Sequence, residues 1–152
     1  MTKLSALIGK QAFIWSLVAA GHTPAAAKVF EDGVRAWAAF ECAAYAHVAS
    51  HDPLNILKPH EERRLFQLGT KLARRFAARI RSGKYKKDDV PDVLSRSLHG
   101  PSIDFIAGRL AENAQRAAME KLPKQKVTLN WTAKSGEKAL DNFLQGNCRA
   151  IY

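Results

Sequence analysis

The chain has 152 residues and a net charge of +10, and 47% of its residues are hydrophobic while 25% are charged. This composition is that of an ordinary globular protein, which excludes a disordered chain, and the length suits one domain over residues 1–152. The sequence contains no run of about 20 apolar residues, so a membrane-spanning helix and a membrane partner are not expected.

The first predicted helix covers residues 3–20, where apolar residues recur at three- and four-residue spacing before Gly21. Lys3 followed by an apolar run imitates a secretory leader. Lys10 and Gln11 interrupt that run. We therefore expect the segment to be a helix of the fold and not a leader.

The next helices carry clear start and stop signals. Thr23 is a good N-cap and Pro24 suits the first helical position, so a helix is predicted over 24–50, with Phe30, Val34, Trp37, Ala38, Tyr45 and Val48 as its buried stripe. Pro59 opens the next helix and Gly83 ends it. The same signals and periodicity predict the remaining helices at 59–82, 89–99, 101–121 and 133–145.

Residues 124–131 do not show the helical period of the other segments. Val127, Leu129 and Trp131 alternate with polar residues at the two-residue period of a strand. One such segment either packs as an extended arm across the helices or pairs with its symmetry mate in a homodimer. We favour the arm. The predicted fold is therefore all-α, a single-domain bundle of five to six helices with a short extended C-terminal segment.

Cys42 and Cys148 are the two cysteines of the chain. They are far apart in sequence and show neither a metal-binding nor a redox spacing, so we expect two reduced thiols, no zinc site and a cytoplasmic protein.

No recognisable catalytic motif is present, and we expect a protein that is not an enzyme and has no cofactor. His47 and His51 lie four residues apart, but no further metal ligand completes that pair. Ser102 has His99 and Asp104 as sequence neighbours, without the glycines that flank a nucleophile elbow. Glu41 falls within an apolar stripe, and we expect it to pair with an arginine or a tyrosine hydroxyl across the core.

The charge of the chain is concentrated in one segment. Ten basic residues and no acidic residue lie between positions 63 and 87. Removing these ten leaves 14 basic and 14 acidic residues, so the whole net charge of +10 belongs to this segment. The ten residues are Arg63, Arg64, Lys71, Arg74, Arg75, Arg79, Arg81, Lys84, Lys86 and Lys87.

At about 100° per residue, the leucines of the predicted helix 59–82 cluster on one side, while Arg63, Arg74 and Arg81 point away from them. A solvent-facing basic ridge suits phosphate contact that tolerates any sequence, and a solvated face normally mixes charges of both signs. We therefore predict a nucleic-acid-binding protein, for DNA or RNA, that uses these ten residues. The alternative is a protein–protein interaction module, such as an adaptor, inhibitor or structural subunit, that docks an acidic protein on the same ridge.

Exposed aromatic residues distinguish these hypotheses further. An exposed Trp or Phe beside the basic face favours single-stranded nucleic acid, because bases stack on aromatic rings. Exposed aromatics far from it favour a protein interface.

Overall fold

The computed structural model describes residues 24–51, 57–58, 60–83, 90–123 and 133–151, which are mostly helical and contain no strand. This confirms the all-α class. The described helices are α1 (Pro24–Ala49), α2 (Glu61–Arg81), α3 (Asp92–Ser95), α4 (Ile103–Glu120) and α5 (Ala133–Gln145), and a short 3₁₀ helix follows at Cys148–Ala150. The helix predicted at 3–20 and the extended segment predicted at 124–131 lie outside the described residues.

Helices α1, α2, α4 and α5 begin and end within two residues of their predicted bounds. Helix α3 differs, because it has a single turn where residues 89–99 were predicted to be helical. The N–H groups of Ser97 and Leu98 bond to carbonyls only three residues back, so the chain tightens into turns before Gly100 and Pro101.

Helix α1 is the centre of the packing, since α2, α4 and α5 all pack against it. Its second half is buried on nearly every side, from Cys42 to Ala46 and again at Val48 and Ala49. The single stripe expected from the sequence is therefore wrong in part: Tyr45 and Val48 are buried, but Val34 is 51% exposed. Because other helices pack on several sides of α1, its buried residues do not fall on one apolar face.

A close approach of α1 and α2 sets the orientation of α2. A Cβ atom at Gly69 would lie 2.8 Å from ring atoms of Phe40, so the glycine leaves room for this ring between the helices. Leu65, Leu72 and Phe76 are fully or almost fully buried on the same side of α2. The opposite side of α2 consequently faces solvent.

The two cysteines form a disulfide, and the expectation of two reduced thiols is wrong. Their Cα atoms lie 5.6 Å apart across a sequence separation of 106 residues, and both side chains are buried. The pair joins α1 to the 3₁₀ helix after α5, within a core cluster that includes Tyr45, Leu65 and Phe143. No spacing in the sequence signals this pair, because tertiary packing alone brings the two residues together.

Reducing the disulfide should lower the free energy of unfolding. Chain-entropy arguments assign about 4.7 kcal/mol to a cross-link that closes a loop of about 100 residues, and measured losses are typically about 2–5 kcal/mol. Urea unfolding with and without dithiothreitol measures the change. The variant Cys42→Ala/Cys148→Ala is the control and should not respond to reductant. An equal response of both proteins to reductant would contradict the disulfide.

Candidate nucleic-acid interface on helix α2

The basic ridge comprises the seven described basic residues of α2, namely Arg63, Arg64, Lys71, Arg74, Arg75, Arg79 and Arg81. Five of them are exposed, while Arg64 and Arg79 are half-buried. From Arg63 to Arg81 the ridge extends about 27 Å at 1.5 Å per residue. The other three predicted contact residues, Lys84, Lys86 and Lys87, lie outside the described residues.

One flank of the ridge is bound to α1 through a buried carboxylate. Asp32 is only 8% exposed, and its Oδ1 accepts a hydrogen bond from Arg75 Nη2 at 2.9 Å. Its Oδ2 lies 3.2 Å from Arg79 Nη1, an ion-pair distance without hydrogen-bond alignment. Arg75 and Arg79 therefore neutralise a charge that would be costly to bury alone, and their first role is structural.

Three further arginines contact neighbouring segments. Arg64 donates to Glu61 Oε2 and to the carbonyl of Ile151, each at 3.0 Å. On the other flank, Arg74 Nε donates to Asp104 Oδ1 at 2.7 Å, and Arg81 Nη1 donates to the carbonyl of Pro101, also at 2.7 Å. The Arg74 pair is open to solvent, with 58% and 70% of the two side chains exposed.

Arg63 and Lys71 are exposed and make no ion pair with any residue that the structure describes. The ridge thus holds seven cations against three carboxylates, those of Asp32, Glu61 and Asp104. It keeps an excess of positive charge on a solvent-facing surface. The residues best placed to meet an external anion are Arg63, Lys71, Arg74 and Arg81.

Sequence reasoning identified the ridge but missed the residues that partner it. Asp32 and Asp104 come from α1 and α4, and they lie 43 and 30 positions from the arginines they bond. The available signal for Asp32 was an acidic residue within a helix otherwise rich in apolar residues. Nothing local in the sequence says which of two adjacent acids, Glu31 or Asp32, turns inward.

Glu41 lies in a polar cluster at the junction of α1, α4 and α5. Its Oε1 accepts a hydrogen bond from Lys121 Nζ at 2.8 Å, so it does pair with a distant residue, but the partner is a lysine that is 57% exposed at the end of α4 and not a residue within the core. Burial raises the pKa of the Tyr45 hydroxyl, although the nearby Lys121 and Asn142 act to lower it. Burial alone would lower the pKa of Lys121, but the hydrogen bond and charge of Glu41 outweigh it and raise that pKa.

The other chemically suggestive residues have local structural contacts. Ser102 is the N-cap of α4, and its hydroxyl oxygen accepts a hydrogen bond from the Phe105 N–H at 3.1 Å. His47 Nδ1 lies 3.3 Å from Glu62, and His51 Nδ1 lies 3.1 Å from the His47 carbonyl. Among the described residues no group of three or more potential ligands is arranged to hold a metal ion.

Comparison of the chain with protein-family models, with curated proteins and with solved structures gives no match. Among the helices that the structure describes, none combines the length and the apolar character needed to cross a membrane. Function therefore has to be inferred from the charge and shape of the described surfaces.

Replacing Asp32 by Asn should destabilise the fold. The substitution keeps the side-chain shape but removes the charge that binds Arg75 and Arg79, and hydrogen bonds to charged groups contribute about 1.5–3 kcal/mol. Urea unfolding measures this loss. Asp104→Asn is the matched control, because an exposed ion pair contributes only about 0–1 kcal/mol. Equal stability of Asp32→Asn and the wild type would show that the buried pair does not stabilise α1 against α2.

Alkaline pH should weaken the junction of α1, α4 and α5. The pKa values of Tyr45 and Lys121 are both raised, from 10.0 and 10.5, so the folded state retains these protons when the unfolded state has lost them. The stability they contribute is complete below pH 10 and is lost as the pH rises through the folded-state values.

The free energy of unfolding, measured between pH 8 and about pH 11, should therefore fall above pH 10. Tyr45→Phe removes one of the two titrating groups, so its stability should fall less steeply over the same range. Superimposable pH profiles for the variant and the wild type would assign the loss to other groups.

Proposed function

We propose that the chain binds nucleic acid through the basic ridge of α2, by phosphate contact that tolerates any sequence. The observation that carries the proposal is the arrangement of seven cations, five of them exposed, along about 27 Å of α2, against three carboxylates. A rod-like cationic surface of this length matches a regularly spaced polyanion better than a single compact charge.

The physical basis is the release of counterions. Each cation that meets a phosphate frees condensed counterions, so binding weakens steeply with salt and depends little on base sequence. Arg63 and Lys71 are free to make such contacts, and Arg74 can exchange the exposed carboxylate of Asp104 for a phosphate at small cost. Arg75 and Arg79 add positive potential while remaining bound to Asp32.

The alternative sequence hypothesis, an acidic protein that docks on the ridge, uses the same charges. No feature of the described residues favours it over nucleic acid. If nucleic acid does not bind in the test below, an acidic protein partner becomes the better hypothesis. Absence of catalytic activity and the possibility of a homodimer also remain predictions from the sequence.

The two cysteines also bear on the compartment in which the protein works. The predicted cytoplasmic location rested on two reduced thiols, and the Cys42–Cys148 disulfide removes that premise. Structural disulfides persist mainly in oxidising compartments. The disulfide therefore supports an oxidising location for the folded protein.

Removing three of the ridge cations that are not bound to Asp32 should weaken binding to nucleic acid. In the variant Arg63→Gln/Lys71→Gln/Arg74→Gln, affinity for every oligonucleotide sequence should fall about tenfold or more at low salt. The slope of log K against log salt should become shallower by about one unit for each phosphate-binding cation removed. Fluorescence anisotropy with labelled oligonucleotides between about 50 and 200 mM salt measures both quantities. Arg75 and Arg79 are left intact so that Asp32 keeps its partners.

Controls separate the ridge from net charge alone. Asp104→Asn should tighten binding several-fold, because it frees Arg74 from its ion pair. Glu112→Gln makes the same charge change beside Arg116, which is not part of the ridge, and should have a smaller effect. Arg116→Gln is the corresponding control for loss of one cation. If the wild type fails to bind nucleic acid at low salt, the proposal is wrong and an acidic protein partner is the better hypothesis.

A further inference from the structure

Two half-exposed phenylalanines lie near the ridge, one on α2 itself and one at the start of α4. Phe66 is 43% exposed and Phe105 is 47% exposed. Large aromatic side chains are usually buried when no partner needs them. What these rings can bind beside a cationic surface depends on how each ring is packed against the protein.

Phe66 belongs to the ridge helix itself. It lies three residues after Arg63, so the two side chains are neighbours on the helix surface. Inside the protein, its ring meets the ring of Phe40 edge to face, with centroids 5.4 Å apart and planes at 61°. This contact holds the ring from within the protein, while 43% of the residue stays exposed to solvent.

Phe105 lies in the first turn of α4, and the chain contacts the ridge at two points here, once within this turn and once just before the helix begins. Asp104, its neighbour in the chain, accepts the hydrogen bond from Arg74, and Pro101 accepts the one from Arg81. A Cβ atom at Gly100 would overlap the ring of Phe105, so the ring packs directly on the glycine backbone. Phe105 is thus held on one side in the same way as Phe66.

Phe66 therefore lies beside Arg63, and Phe105 follows directly on the residue that binds Arg74. We propose that the ridge selects single-stranded nucleic acid, whose phosphates contact the arginines while unpaired bases stack on Phe66 and Phe105. This inference rests on the proposed function. In a duplex the bases are already stacked and paired, so the two rings contribute nothing to duplex binding.

The test compares one oligonucleotide of about 16 nucleotides as a single strand and as a duplex, by anisotropy at fixed salt. The wild type should prefer the single strand. Phe66→Leu and Phe105→Leu keep an apolar side chain but remove the aromatic face. Stacking contributes about 1–3 kcal/mol per base, so each variant should lose about fivefold or more in single-strand affinity and nothing in duplex affinity.

Two controls isolate stacking. Leu144→Ala alters an equally exposed apolar residue on α5, and its binding should equal that of the wild type. A strand of abasic sugar-phosphate units keeps the phosphates but has no bases, and the two phenylalanine variants should bind it as well as the wild type does. Gly100→Ala displaces the Phe105 ring without touching any charge, and it should reproduce the Phe105→Leu result.

The outcomes separate the two proposals. Salt-sensitive binding with equal affinity for the single strand and the duplex, unchanged in the phenylalanine variants, would leave the phosphate-binding ridge standing and overturn the stacking inference. No binding to either form at low salt would overturn both.

Discussion

The close packing of helix α1 against α2, α4 and α5 is the constraint on which the rest of the structure depends. It is possible because α1 presents alanines on several sides, with Ala36, Ala39, Ala43 and Ala49 almost completely buried. Small side chains let helix axes approach, and Gly69 on α2 then makes room for the Phe40 ring. Because α2 must turn its leucines and Phe76 toward α1, its arginines have to face outward. The charged surface is therefore a direct result of how the core is built.

The ridge is not uniform, although its residues look alike in the sequence. Arg75 and Arg79 form ion pairs with the buried carboxylate of Asp32. If they moved away, the charge of Asp32 would be buried without a partner, which costs free energy. Arg74 faces an exposed carboxylate, and Arg63 and Lys71 face solvent. The same helix thus uses Arg75 and Arg79 to bind α1 and leaves other cations open to solvent. This division explains how a strongly basic segment coexists with a stable fold.

Much of this arrangement could be predicted from local sequence. Pro24 and the Gly100-Pro101 corner mark helix starts whatever the tertiary structure, and the helical period alone determines that Arg63, Arg74 and Arg81 oppose the leucines. The exposure of Val34 could not be predicted, because it depends on which sides of α1 the other helices cover. The pairing of Asp32 with α2 likewise depends on contacts between residues distant in sequence. The exposed fractions of Phe66 and Phe105 also depend on how the helices pack.

The disulfide between Cys42 and Cys148 makes a closed covalent ring of most of the chain. Helices α2, α3, α4 and α5 all lie between the two cysteines. A protease that cuts the backbone once anywhere within this ring produces two pieces that stay joined through the sulfur atoms. Both pieces then keep their mutual packing at a high effective concentration, as linked binding modules do. A nicked molecule therefore retains the ridge and its partners as one particle until it meets a reductant.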